Sequence, residues 1–166
     1  MLKNNVDAIG ALKIAIQIEK TLYKLYQNAY NIVKNENSKD ILKLLAEEEH
    51  SHKKRLENLY TNLSGRRIMA LNLKPKMNLQ EITNEYISPI EVLEIAIENE
   101  KESLKFYEEA GEKTVNYEGK KIFNKLIEEE RNHLELLEVE YKVRKKSFSE
   151  DVEEYQNIKE VSGIVN

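Results

Sequence analysis

Moved 81 positions along itself without a gap, the chain matches itself, and this constrains its fold more than any other feature of the sequence. Residues 11–30 read ALKIAIQIEKTLYKLYQNAY and residues 92–111 read VLEIAIENEKESLKFYEEAG. The shift places Leu12 on Leu93, Ala15 on Ala96, Glu19 on Glu100, Tyr26 on Tyr107 and Ala29 on Ala110. Further along it places Leu45 on Leu126, Glu47 to Glu49 on Glu128 to Glu130, His52 on His133 and Tyr60 on Tyr141. Chance can pair Glu, Lys and Leu in a charged helical chain. It does not also recover a histidine, two tyrosines and two alanine-containing apolar runs at one shift. The chain is a duplication, and its fold is two copies of one unit.

The unit is a pair of helices. Leu12, Ala15, Glu19, Leu22, Tyr26, Ala29 and Val33 recur every three or four residues, which is one face of an α-helix. Asn35–Asn37 form a loop, Ser38 is the expected N-cap, and Ile41, Leu45, Glu49, His52, Leu56 and Leu59 form the next stripe. In the second copy Ser88-Pro89-Ile90-Glu91 combines a cap, a first-turn proline and a capping-box glutamate. Leu93, Ala96, Glu100, Ser103, Tyr107 and Ala110 follow on one face. After a turn at 116–119, Ile122, Leu126, Glu130, His133, Leu137 and Tyr141 line the last helix. Short connections within each copy make its helices antiparallel. The long stretch from Thr61 to Ser88, with Gly65 and Pro75, lets helices two and three run parallel. The expected fold is all-α: a ferritin-like four-helix bundle over residues 1–146, with repeats at about 8–63 and 89–146. Two short helices are expected outside the repeats, one at Asn78–Glu85 and one in the tail 147–166, where Val152, Tyr155 and Ile158 share a face.

Composition removes several function classes. There are no cysteines, so disulfides, thiolate catalysis and cysteine-held metal sites are excluded. A net charge of -4 offers no basic stripe for nucleic acid. Arg66–Arg67 are read as loop residues and Lys145–Lys146 as lying near a helix end. No apolar run is long enough to span a membrane, and Met1–Asn5 lack the apolar core of a signal peptide, so the expected location is the cytoplasm.

Most of the 30 acidic residues belong on solvated helix faces. Glu19, Glu49, Glu100 and Glu130 do not, because they interrupt apolar stripes. Glu49 and His52 lie about 60° apart and one turn along the same helix side, and Glu130 and His133 repeat that geometry. Two carboxylates about 5 Å apart repel by roughly 3 kcal/mol at an effective dielectric near 20. Four that converge need cations. A single Glu-x-x-His is common in charged helices, where its carboxylate reaches water. Two at matching positions, each with a stripe glutamate in the partner helix, form the donor set of di-iron and di-manganese carboxylate bundles. Six oxygen and nitrogen donors around two ions suit iron or manganese better than tetrahedral zinc. Tyr26 and Tyr107, seven residues after Glu19 and Glu100, share the same face. They read equally as hydroxyl partners beside the metals and as core aromatics. Tyr23, which has Leu104 as its counterpart, reads as packing, and His50, off the stripe, as surface.

ALKIAIQIEKTLYKLY with LAEEEHSH, and VLEIAIENEKESLKFY with LIEEERNH, resemble the rubrerythrin-like branch of the ferritin-like superfamily across both repeats. The resemblance implies a centre of two iron ions, with manganese as the alternative, reacting with hydrogen peroxide or dioxygen. It implies Glu49, His52, Glu130, His133, Glu19 and Glu100 as its metal ligands. Two departures stand out. Ser103 occupies the position where rubrerythrins usually carry an extra glutamate, and Glu102, about 200° around the helix from Glu100, does not replace it. The cysteine-rich electron-transfer domain is also missing, so reduction calls for a separate donor protein. A homodimer is expected. The alternatives are an iron-oxidising, iron-handling ferritin-like protein, which would assemble as a cage, and a metal-free helical interaction bundle.

Overall fold

A computed structural model describes residues 2–69, 79–82 and 87–161. Four helices carry the fold: α1 (Leu2–Ile32), α2 (Glu36–Ser64), α3 (Pro89–Lys113) and α4 (Tyr117–Val161). Their directions follow from side chains that meet. Lys13 lies over Tyr60 and Glu19 meets His52, so α1 and α2 are antiparallel. Arg55 meets Glu129 while Ser38 meets Glu140, which makes α2 and α4 antiparallel. Tyr26 reaches Glu100 and Tyr107 reaches Glu19, so α1 and α3 are antiparallel too. Both α2 and α3 therefore oppose α1 and run parallel to each other, as the long crossover requires.

The stripes read from the sequence form the core. Leu12, Leu22, Leu42, Leu45, Leu56, Leu93, Leu126 and Leu137 are fully buried together with Tyr26, Tyr107 and Phe123. Each such leucine contributes about 1.5–3 kcal/mol relative to an exposed one. This apolar lining above and below Glu19, Glu49, Glu100 and Glu130 keeps water from the four carboxylates between them.

Helix ends follow local chemistry. Asn35, not Ser38, caps α2: its side-chain oxygen accepts the Ser38 N–H at 3.1 Å. Ser38 sits inside the first turn, and its hydroxyl donates instead to Glu140 of α4 at 2.5 Å. Gly65 ends α2 in the left-handed conformation (φ 69°), where a Cβ would be strained. The capping box at α3 is complete. Ser88 Oγ accepts the Glu91 N–H at 3.2 Å, and the Ser88 N–H donates to the Glu91 carboxylate at 2.9 Å. Ser88→Ala should cost about 1 kcal/mol, read as a lower urea midpoint with an unchanged slope.

Two outer elements differ from expectation. Residues 79–82 are not helical, and the remainder of the helix expected at Asn78–Glu85 lies outside the described residues. The peptide at Gln80 is held to α3 by Asn99, whose buried amide accepts the Gln80 N–H at 2.8 Å and donates to its carbonyl at 2.9 Å. Among the described residues the tail is not a separate helix, because α4 continues without a break to Val161. Lys145–Lys146 consequently lie within α4 rather than near its end. Arg66–Arg67 do lie outside any helix.

Candidate metal centre

All six donor residues named from the sequence come together midway along the bundle. Glu19 projects from α1, Glu49 and His52 from α2, Glu100 from α3, and Glu130 and His133 from α4. The four glutamates are 0% exposed and the histidines 2% and 3%. They form two groups of four, Glu19–Glu49–His52–Glu130 and Glu49–Glu100–Glu130–His133, with donor atoms in each group within 4.8 Å of one another. Glu49 and Glu130 belong to both groups, so each has a carboxylate oxygen within reach of both sets of donors. The imidazoles stack at 5.4 Å between centroids, only 4° from parallel. The 81-residue shift thus becomes a near two-fold axis through the site, exchanging Glu19 with Glu100 and His52 with His133.

Both imidazoles turn Nδ1 inward. His52 Nδ1 lies 3.2 Å from Glu49 and 3.4 Å from Glu130, and His133 Nδ1 lies 3.0 Å from Glu49 and 3.7 Å from Glu130. Their Nε2 atoms face outward to Glu129 at 3.6 Å and to Glu48 at 2.8 Å. With the Nε2–H of His133 donated to Glu48, Nδ1 is the nitrogen that could serve a metal once its own proton is released. Sequence reasoning missed Glu48 and Glu129. They lie in the Glu-Glu-Glu runs that the shift superposes, but only the ring orientation separates them from solvated neighbours.

The two tyrosines act across the duplication. Tyr107 of the second repeat donates to Glu19 of the first at 2.5 Å, and Tyr26 of the first donates to Glu100 of the second. Both rings are fully buried, so each is a core aromatic and a hydroxyl partner of the site at once. Ser103 is also fully buried, with its Oγ 3.2 Å from Glu130 and 3.5 Å from Glu100. Tyr23 packs against His50, their rings 5.3 Å apart, which leaves His50 half-buried rather than on the open surface.

The donor atoms fit a pair of cations. Glu19 Oε2, both Glu49 oxygens, Glu130 Oε1 and the two histidine Nδ1 atoms are buried without a hydrogen-bond partner among the described residues. So many orphaned buried donors and acceptors would be costly without ions to meet them. Protonation provides the metal-free alternative. Burial, with repulsion from Glu49, holds Glu19 well above the ordinary carboxylate range, and burial with repulsion from Glu130 does the same for Glu100. Burial also opposes the charge on Glu130, but its close neighbours Glu100, His133 and His52 outweigh it and hold that carboxylate below the usual range. Glu49 is likewise lowered, its neighbours Glu19, His133 and His52 prevailing over burial and the Glu130 charge. Burial disfavours the imidazolium of His133, yet Glu130 and Glu49 push its pKa up to about 12, and His52 is raised by the same kind of surroundings.

The metal-free arrangement that these directions favour places protons on Glu19, Glu100 and both imidazoles and leaves negative charge on Glu49 and Glu130, which balances to neutral. Two divalent cations on four carboxylates and two neutral imidazoles are also neutral overall. Loading should accordingly release about four protons per centre near pH 7. Calorimetric titration in buffers of different ionisation enthalpy counts them, and a release near zero would contradict the proton-filled description.

The rubrerythrin family model matches residues 10–141, the span that contains both repeats and all six donors. The chain belongs to the rubrerythrin family. Among solved structures, this rubrerythrin-family chain is similar to a hypothetical protein from Pyrococcus furiosus at 26% identity. That match covers 82% of this chain and 89% of the other, with a TM-score of 0.72. It also shares its fold with a dodecameric thioferritin, the bacterioferritin-related protein from Bacteroides fragilis (19% identity, 89% and 90% covered, TM-score 0.75). A ferritin-like, diiron-carboxylate protein from Bacillus anthracis has the same fold (21% identity, 85% and 99% covered, TM-score 0.67). No curated protein matches the chain. Family and donor set together are those of a rubrerythrin-type di-iron oxidoreductase.

Proposed function

We propose that this protein reduces hydrogen peroxide, using two iron ions held by Glu19, Glu49, His52, Glu100, Glu130 and His133, with manganese as the alternative metal. The observation that carries the reading is the pair of four-donor groups sharing Glu49 and Glu130, with their inward atoms unpaired. Bound there, two ferrous ions supply the two electrons that, with two protons, convert one peroxide to two waters.

The chain's own residues set the conditions for that chemistry. Glu49 and Glu130 hold the two positions together, while Glu19 and Glu100 close them from opposite sides. The Tyr107 and Tyr26 hydroxyls fix the rotamers of those outer carboxylates and keep a proton beside each. Tyr26 also forms part of the wall of a cleft of about 390 Å³ between α1 and α2, lined by Tyr23, Gln27, Leu42 and Ala46 among others. A small oxidant can approach along that cleft, and the buried Tyr26 ring separates it from the carboxylates.

In this reading the protein is a cytoplasmic homodimer served by a separate electron-donor protein. Among the described residues, no helix is long and apolar enough to cross a membrane, which is compatible with that setting. The test is stopped-flow oxidation of anaerobic ferrous protein by one equivalent of peroxide or of dioxygen. Peroxide should produce the ferric absorbance faster. A clear preference for dioxygen, with a cage-sized particle in sedimentation, would favour the iron-handling reading instead. Purification without chelator should yield bound metal, and its absence would favour a metal-free bundle.

A further inference from the structure

The near two-fold axis is broken where the outer carboxylates meet their neighbours, and the geometry points to Arg55 as the positioning residue that makes the two metal positions unequal. This rests on the metal centre proposed above. On one side, Arg55 grips Glu129 with both ends of its guanidinium, at 3.1 Å to Oε1 and 2.5 Å to Oε2. Lys125 adds a second cation 3.8 Å from the same carboxylate. The oxygen that Arg55 holds most closely is the one facing His52 Nε2, which is left 3.6 Å away. On the other side, the 81-residue shift replaces Arg55 with Leu136 and Lys125 with Leu44. Glu48 meets no cation but His133 among the described residues, and holds its Nε2 at 2.8 Å.

A carboxylate that accepts from the outer nitrogen of an imidazole makes the inner nitrogen a stronger metal donor. Glu48 is free to do this for His133. Glu129, neutralised and turned toward Arg55, does so only weakly for His52. The positive charges of Arg55 and Lys125 also repel a cation on their side. Both effects act in the same direction. The Glu100–His133 position fills first and binds more tightly, and the Glu19–His52 position fills second. Changes to such outer partners typically alter metal affinity by about 10- to 100-fold, so a separation of roughly tenfold or more is expected.

Titrating metal-free protein with Mn²⁺ and following electron paramagnetic resonance distinguishes isolated ions from coupled pairs. In the wild type, the first equivalent should give isolated ions, with pairs forming in the second. Arg55→Leu, which copies the residue at 136, should raise affinity at the second position about tenfold, so that pairs form within the first equivalent. Arg55→Lys, which keeps the charge and loses the fork, should fall between. A purely structural arginine would change melting temperature in these variants without changing the order of filling. His133→Ala should lose the tight first equivalent while His52→Ala keeps it, each checked for helical content by circular dichroism. Pairs from the first wild-type equivalent, or unchanged separation in Arg55→Leu, would overturn the inference and leave the metal centre standing. Failure to bind any manganese would overturn both.

Discussion

Chelated protein should melt roughly 10 °C below the iron-loaded form. A ligand that binds only the folded state adds about 4 kcal/mol when its free concentration is a thousand times its dissociation constant. In a domain of this size each kcal/mol moves the midpoint by about 2–4 °C. The metal-free chain should still fold, because protons taken up by Glu19, Glu100 and the histidines offset the cluster's repulsion, but without ions its inward atoms lack partners among the described residues. Glu49→Gln with Glu130→Gln keeps the volume of both side chains and removes the charges common to the two positions. In that variant the difference between loaded and chelated melting curves should vanish, as scanning calorimetry would show. Coincident wild-type curves with and without iron would be incompatible with a shared buried site.

Ser103→Glu should weaken anion binding in the oxidised protein and lower the stability of the metal-free one. Ser103 is fully buried, and its hydroxyl lies within 3.5 Å of carboxylate oxygens of Glu100 and Glu130. A hydroxyl is a weak ligand beside a carboxylate, so the wild type should leave a coordination position for an exogenous anion on the Glu100–His133 side. Azide should bind the oxidised wild type and give a charge-transfer band. The glutamate would occupy that room and reduce azide affinity by about tenfold or more. Without metal, it adds a fifth carboxyl group to a site already crowded with four, so the chelated variant should melt below chelated wild type. Equal azide binding by both proteins would mean that position 103 does not govern access to the ions.

The sequence revealed the centre because its residues stand where apolar ones belong. Glu19 and Glu100 interrupt leucine and alanine stripes, and the shift doubled each Glu-x-x-His. Ser88 was equally clear, since the cap, the proline and the glutamate fall within the four residues Ser88 to Glu91. The α2 cap was harder, because Asn35 and Ser38 both cap well and only the position of Glu140 shows what Ser38 does instead. The length of α4 had a readable sign in the absence of glycine and proline from Lys120 to Ser162. Glu48, Glu129 and Arg55 were hidden for a different reason. Each resembles its charged neighbours until the direction of a histidine nitrogen selects it. Asn99, which stands where the first repeat has Ile18, interrupts a stripe as the glutamates do, but its partner is a peptide group that no side-chain pattern marks.

Each hairpin completes its centre with groups from the other: Glu19 is held by Tyr107, Glu100 by Tyr26, and Glu49 and Glu130 belong to both donor groups. A half-length ancestor with one hairpin could therefore have built such a site only by pairing with its twin, and every replacement in it would have been made twice. Joining the twins into one chain removed that obligation. Serine could then stand at 103 while leucine stayed at 22, and arginine at 55 while leucine stood at 136. Gene fusion, on this account, gave a symmetric cavity the freedom to treat its two occupants differently.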